Sequence, residues 1–270
     1  MGSSGLEVGS GVAGRGPAAY YLSLGDSLST GVQPIGAEAW QFRTHEGYAD
    51  QLAESVRRRL PRLQVVKLGF PGESTTTMMD GSLSEYPHGS QLREAVAFLR
   101  EHRGSVAFVT IDIGFNDLPT HDLAGVALGI AVVGRNLPGI LGELREAAGP
   151  TIPIVGMTIY DPFLAGWLEG PMGRELARLS VSDAVVPINA HLAEIYRAAG
   201  MVAADVEGAF STTDFETLVP IDGIGVVPLN VARILDWTWA GTPPPLGPDM
   251  HANVRGYKAI ADAFERVLFP

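Results

Sequence analysis

Five short apolar runs, separated by stretches of helical period, constrain this chain more than any other feature. They are Ala19–Leu24, Leu63–Leu68, Val106–Ile111, Ile152–Met157 and the shorter Met201–Ala204. Between the first two, Gly47–Leu60 places Tyr48, Leu52, Val56 and Leu60 on one face before Pro61 ends it. Gln91–Glu101 does the same with Leu92, Val96 and Leu99. Leu123–Ala148 reads as one long helix, or as two interrupted near Pro138. A further helix runs to Ala199, capped by Ser182 or Asp183 or starting near Pro187, and Arg255–Leu268 is the last. Repeated β-α-β units predict a parallel sheet with helices on both faces. In such sheets the chemistry gathers at the carboxyl ends of the strands.

Two segments interrupt this rhythm and read as insertions, 72–90 and 206–248; the second contains Trp237, Trp239 and three consecutive prolines. Residues 1–17 are rich in Gly and Ser and read as a disordered leader or cloning remnant, with residues 18–270 as one domain. A secreted protein whose signal peptide has been removed is expected over a cytoplasmic one.

The charge balance, 19 basic against 30 acidic residues, lacks the basic footprint of a nucleic-acid partner or an anionic membrane surface. No apolar run is read as reaching the roughly 18–20 residues of a membrane span, so no stable membrane insertion is expected. With no cysteine, thiolate catalysis, disulfides and Cys-ligated zinc are excluded. A monomer acting on a small neutral or apolar molecule fits these limits.

Each motif follows an expected strand or precedes a helix. Gly25-Asp26-Ser27-Leu28 opens a small-residue loop after the first strand, where a hydrolase would place a serine nucleophile. It is neither G-x-S-x-G nor a Walker loop. Gly69–Ser74 follows the second strand; there Gly72 permits close approach of a ligand to backbone N–H. Gly114-Phe115-Asn116-Asp117 follows the third, and Asn116 offers a neutral amide donor. His251 lies in a loop before the last helix; an ordinary imidazole, titrating at about 6.5, suits a general base. His45, His88, His102, His121 and His191 read as surface or capping residues, without metal-ligand spacing. Asp26 and Asp117 read as structural acceptors for turn N–H groups.

Taken in order, Gly25-Asp26-Ser27-Leu28-Ser29, Gly72, Gly114-x-Asn116-Asp117 and His251-x-Asn253-x-x-Gly256-Tyr257 resemble the GDSL or SGNH hydrolase family, and within it the bacterial secreted-type esterases. The resemblance implies a three-layer α/β/α sandwich around a parallel five-stranded sheet, similar to flavodoxin. It implies Ser27 as nucleophile, the N–H groups of Ser27 and Gly72 with the Asn116 amide as oxyanion donors, and His251 as base. No metal or organic cofactor is implied. The activity implied is hydrolysis of carboxylic esters of short to medium acyl chain through an acyl-enzyme. A lipase, a phospholipase or a carbohydrate deacetylase is the alternative. Trp237 and Trp239 are expected to wall an acyl slot.

One position departs from the family pattern. An aspartate usually stands three residues before the histidine, where this chain has Pro248. Either Asp249 is a displaced orienting acid, or a backbone carbonyl such as that of Pro248 orients the imidazole in a Ser-His dyad. A carbonyl accepts only, so it can select the correct tautomer. The dyad is the expectation carried forward.

Overall fold

In the computed structural model, which describes residues 19–34, 42–119 and 123–270, the first strand lies inside the sheet, one place from its edge. β1 (Ala19–Gly25) turns directly into α1 (Ser27–Thr30). A short ribbon, β2 (Val32–Gln33) with β3 (Phe42–Arg43), precedes α2 (Tyr48–Val56). Then come β4 (Leu63–Lys67), α3 (Thr75–Asp80), α4 (Gln91–Glu101), β5 (Val106–Asp112), α5 (Leu123–Ala148) and β6 (Ile154–Met157). A 3-10 stretch, Pro162–Glu169, leads into α6 (Gly170–Leu179). A π turn joins α6 to α7 (Val186–Ala198), followed by β7 (Val202–Ala204) and α8 (Val206–Ala209). The hairpin β8 (Leu218–Ile221)–β9 (Gly225–Pro228), α9 (Leu229–Trp237) and α10 (Val254–Leu268) complete the chain. The expected leader, residues 1–17, and His121 lie outside the described residues.

β1 reads as an unbroken apolar run because it is covered on both faces. Tyr21, Leu22 and Leu24 are buried, and β4 and β5 pair with it in parallel on either side. The sheet order is β4-β1-β5-β6-β7. α2 and α10 pack together on one face, while α4, α5 and α7 form a row on the other. The fold is therefore the expected α/β/α sandwich. In α4 the residues Leu92, Ala95, Val96 and Leu99 are buried at helical spacing, and Ser90 caps the first turn by accepting from Arg93 N–H at 3.2 Å. Gly25 pairs with Asp112 across β1 and β5, so the turns after both strands open at one edge of the sheet.

α5 is one helix despite Pro138, the first of the two readings of that stretch. Three expectations change. No apolar run is expected to reach a membrane span, yet by length and hydropathy Gly125–Ala148 could cross a membrane. Its Val133, Leu137, Ile140, Leu141 and Leu144 are instead fully buried in the protein core. The helix ending at Ala198 is not started by Ser182 or Asp183, because helical backbone runs on from Gly170 through the π turn Ser180–Val185. The second insertion, expected as a loop, contains α8, the β8–β9 hairpin and α9.

Candidate active site

The turn after β1 is held by hydrogen bonds that leave the Ser27 N–H open. Gly25 adopts φ +128°, a backbone region that disfavours side chains, and a Cβ there would run into the carbonyl and carboxyl oxygens of Asp112. Gln91 clamps the same glycine from both sides: its Oε1 accepts from Gly25 N at 2.7 Å, and its Nε2 donates to Gly25 O at 3.0 Å. Asp26 caps α1, its Oδ1 accepting from Leu28 N at 3.0 Å. Ser27 is thereby placed at the first position of the helix. Its Oγ lies 3.4 Å from Asp26 Oδ1, a long hydrogen bond.

Gly72 sits at φ +83° in the turn after β4. The backbone N–H groups of Ser27 and Gly72 make no hydrogen bond among the described residues, and both residues line one cavity of about 200 Å³. Asn116 lines it as well. Both hydrogens of its amide are engaged, one by Asp26 Oδ2 at 3.1 Å and one by the Glu73 carbonyl at 3.0 Å. Asp26 is thus more than an acceptor of turn N–H groups, since it also ties Asn116 to the Ser27 turn. Asp117 does act as a local acceptor, taking Thr75 N at 2.9 Å and Thr75 Oγ1 at 2.6 Å.

His251 reaches this cavity from the other end of the chain. Its loop is pinned by Trp239 N–H to the His251 carbonyl at 3.0 Å and by Tyr160 O–H to the Met250 carbonyl at 2.9 Å. Asn253 then caps α10, accepting from Arg255 N and Gly256 N. The acceptor at His251 Nδ1 is the Asp249 carboxylate at 2.7 Å, not the Pro248 carbonyl. This corrects the expected dyad. The physical reason is local: Asp249 Oδ1 also accepts from His251 N–H at 2.8 Å, an Asx-type turn that folds the carboxylate back beneath the imidazole. Burial pushes the Asp249 carboxyl up, but the hydrogen bonds and charge of His251 outweigh it and hold the group below the usual carboxylate range. Ser27 and His251 share the cavity wall, and no direct hydrogen bond joins them.

The remaining wall is apolar, built from Leu28, Val32, Phe115, Ile159, Tyr160 and Met250. Trp237 and Trp239 do not contribute to it, contrary to expectation. Trp237 packs edge-on against Phe210 under the Arg233 guanidinium, and it faces a separate cavity below the β8–β9 hairpin. His45, His88, His102 and His191 also lie away from the site. Sequence reading missed three supporting residues: Gln91, Tyr48 and Asp112. Asp112 left a trace, a charged residue ending an otherwise apolar strand.

A serine and a carboxylate-bound histidine beside free backbone donors, at the carboxyl edge of a parallel sheet, define a carboxylic ester hydrolase of the α/β/α type. The chain belongs to the GDSL-like lipase/acylhydrolase family, whose model matches residues 23–259. Among solved structures it is similar to the lipase Lip_vut3 from a goat rumen metagenome (TM-score 0.55, 16% identity, covering 93% of this chain and 98% of that one). It is similar to the acetylxylan esterase Axe2 from Geobacillus stearothermophilus (TM-score 0.56, 17% identity, 93% and 94% covered). A third is the extracellular lipase from Streptomyces rimosus (TM-score 0.57, 19% identity, 91% and 99% covered). No curated protein matches the chain by sequence.

Proposed function

We propose that the protein hydrolyses carboxylic esters of short to medium acyl chain by acyl transfer through Ser27. The observation that carries this reading is the 2.7 Å contact between Asp249 Oδ1 and His251 Nδ1, in the cavity that also holds Ser27 and its free N–H. An acceptor at Nδ1 fixes the proton there and leaves Nε2 basic. Nε2 takes the Ser27 proton as Oγ attacks the ester carbonyl, and the N–H groups of Ser27 and Gly72 receive the developing oxyanion. His251 returns the proton to the departing alcohol. Water, deprotonated by the same nitrogen, then attacks the acyl-enzyme and releases the acid and free Ser27. Ser27 Oγ reaches His251 by turning away from Asp26; such contacts are commonly long before substrate binds. Asn116 joins the oxyanion donors by sharing the hydrogen it gives Asp26.

The apolar wall supports an acyl chain better than a sugar, which argues against a carbohydrate deacetylase. A second reading, an ester of a longer lipid chain, is favoured by one observation. Phe115, Pro162, Asp249 and Met250 also line a larger groove of about 750 Å³, at whose side Leu176 is 54% exposed. Hydrolysis of p-nitrophenyl esters of increasing acyl length tests both. Activity on the acetate and butyrate that Ser27→Ala abolishes supports the first reading. A rate that climbs only with long chains, and with emulsified substrate, supports the second.

A further inference from the structure

Asp112 is fully buried at the end of β5, and the ester chemistry leaves it without a role. Its Oδ2 accepts from Asp26 N at 3.4 Å, one residue before Ser27, and from Ser29 N at 3.2 Å, two residues after it. Its Oδ1 meets the Tyr48 hydroxyl at 2.6 Å. Its carboxyl also lies within hydrogen-bonding reach of the Asp26 carboxyl. Among the described residues no Lys or Arg bonds to either carboxyl. Two buried carboxylates in contact and without a cation cannot both carry charge.

We propose that Asp26 and Asp112 hold one proton between them, with Asp112 as the neutral partner and a positioning residue for the turn that carries Ser27. Three donors reach each carboxyl, so the surroundings decide where the proton sits: Asp26 lines the open cavity and Asp112 does not. Asp26 receives Leu28 N–H, the Asn116 amide and the Ser27 hydroxyl, all of which favour its charged form, and the His251 side chain faces it. Asp112 receives the Tyr48 hydroxyl and the N–H groups of Asp26 and Ser29, and has Asp26 as its charged neighbour. Burial, then the Asp26 charge, pushes the Asp112 carboxyl well above the usual range. The neutral acid still accepts the N–H groups of Asp26 and Ser29, so it anchors both sides of Ser27 without repelling Asp26. Gly25 belongs to the same device, since any side chain there would occupy the space of the Asp112 carboxyl. Ionisation of Asp112 at high pH would set two negative charges against each other beneath the nucleophile.

The kinetic part of this inference rests on Ser27 being the nucleophile; the proton itself does not. The experiment is an infrared difference spectrum at pH 8 between the native protein and Asp112→Asn, beside pH–rate profiles of both. A protonated-carboxyl C=O stretch present in the native protein and missing from the variant is the expected result. Glu73 and Asp117, also raised by burial, cancel in the difference. Asp161, pushed to about 6, is ionised at pH 8. The amide reproduces the neutral acid, so Asp112→Asn should keep kcat/KM at pH 7 within about threefold and lose any alkaline fall that the native profile shows. Asp112→Ala, which cannot accept from either N–H, should lose kcat with little change in KM. Absence of the carboxyl band from the native protein overturns the proposal. So does a loss of about 100-fold or more in Asp112→Asn, or its failure to fold, because a neutral isostere would then not suffice. If Ser27→Ala retained activity while the band was present, the proposed function would fall and the proton pair would stand.

Discussion

The two ends of the active site hold their carboxylates in opposite ways. Beneath Ser27, Asp26 and Asp112 sit at the ends of neighbouring strands, both fully buried, and burial raises both. Beside His251, Asp249 sits in a loop with its side chain 19% exposed, and its partner lowers it. The strand end is assembled by residues 86 positions apart in the chain, as in the Asp26–Asp112 contact. The loop end is assembled by two residues two positions apart. One end therefore depends on the global fold and the other on a local turn. The strand end can be rigid because the sheet fixes it; the loop end must be tied down by its neighbours, Trp239 and Tyr160.

Both ends converge on one oxygen, so Ser27→Ala should have the largest effect. A fall in kcat of about 10⁴-fold or more, with thermal stability unchanged, is expected for p-nitrophenyl butyrate. Activity within tenfold of native would mean that neither end serves Ser27. Asp249→Ala comes next and acts on the loop end alone. By analogy with loss of the orienting aspartate in serine proteases, a loss in kcat of about 10³–10⁴-fold is expected. The same change should cost stability at pH 7 and little at pH 3. The lowered carboxyl contributes stability above its unfolded value of about 4, and that contribution disappears as pH falls through the folded value. Thermal melts of both proteins at the two pH values check this. Retention of most activity in Asp249→Ala would restore the dyad.

The contrast also explains what could be read before the structure. The five strands were legible because each is a short apolar run, and the observed bounds differ from the runs by one or two residues. Ser27, Gly72, Asn116 and His251 were legible because each stands in a turn directly after a strand or before a helix, and all four line one cavity. The Asp249 contact was underread although its signal is local: an aspartate two residues before an N–H can fold back onto it. Asp112 and Gln91 left less to read, because their partners lie 83 to 86 and 66 positions away. Helix α6 was missed because a π turn continues it into α7, which hides the usual cap signals. The tryptophans misled because aromatic side chains at helical spacing serve packing as readily as a substrate wall.

A smaller effect separates the two roles of Asn116, which touches the strand end through Asp26 and faces the cavity. Asn116→Ala removes the proposed third oxyanion donor and should lower kcat by about 10²-fold. If its only role is to brace Asp26, Asn116→Asp should be as damaging as alanine in kcat and should also depress the melting temperature, since it brings another acid against a buried one. If it serves the oxyanion, both variants lose kcat while KM stays near native. A kcat within threefold of native in Asn116→Ala would remove it from the site.

The last prediction is on stability rather than rate and concerns a third acid, Asp161, which is wholly buried yet bonds to neither partner pair. Its Oδ1 caps the 3-10 stretch by accepting from Phe163 N at 2.9 Å, while Oδ2 has no hydrogen bond. Burial raises the group from 3.8 to about 6. The sign follows from the direction of that shift. The unfolded chain releases this proton near pH 4 while the folded protein keeps it to about 6, so stability falls as pH rises through that window. The difference corresponds to about 3 kcal/mol at full extent. Asp161→Asn keeps the capping oxygen and carries no charge, so its melting temperature should gain on the native protein between pH 4 and pH 7. Melts of the two proteins across that range measure it directly. Asp161 would then be an acid whose burial costs stability with fewer compensating donors than Asp26 and Asp249 receive. A constant difference between the two melting curves would show instead that its carboxyl is solvated in the folded state.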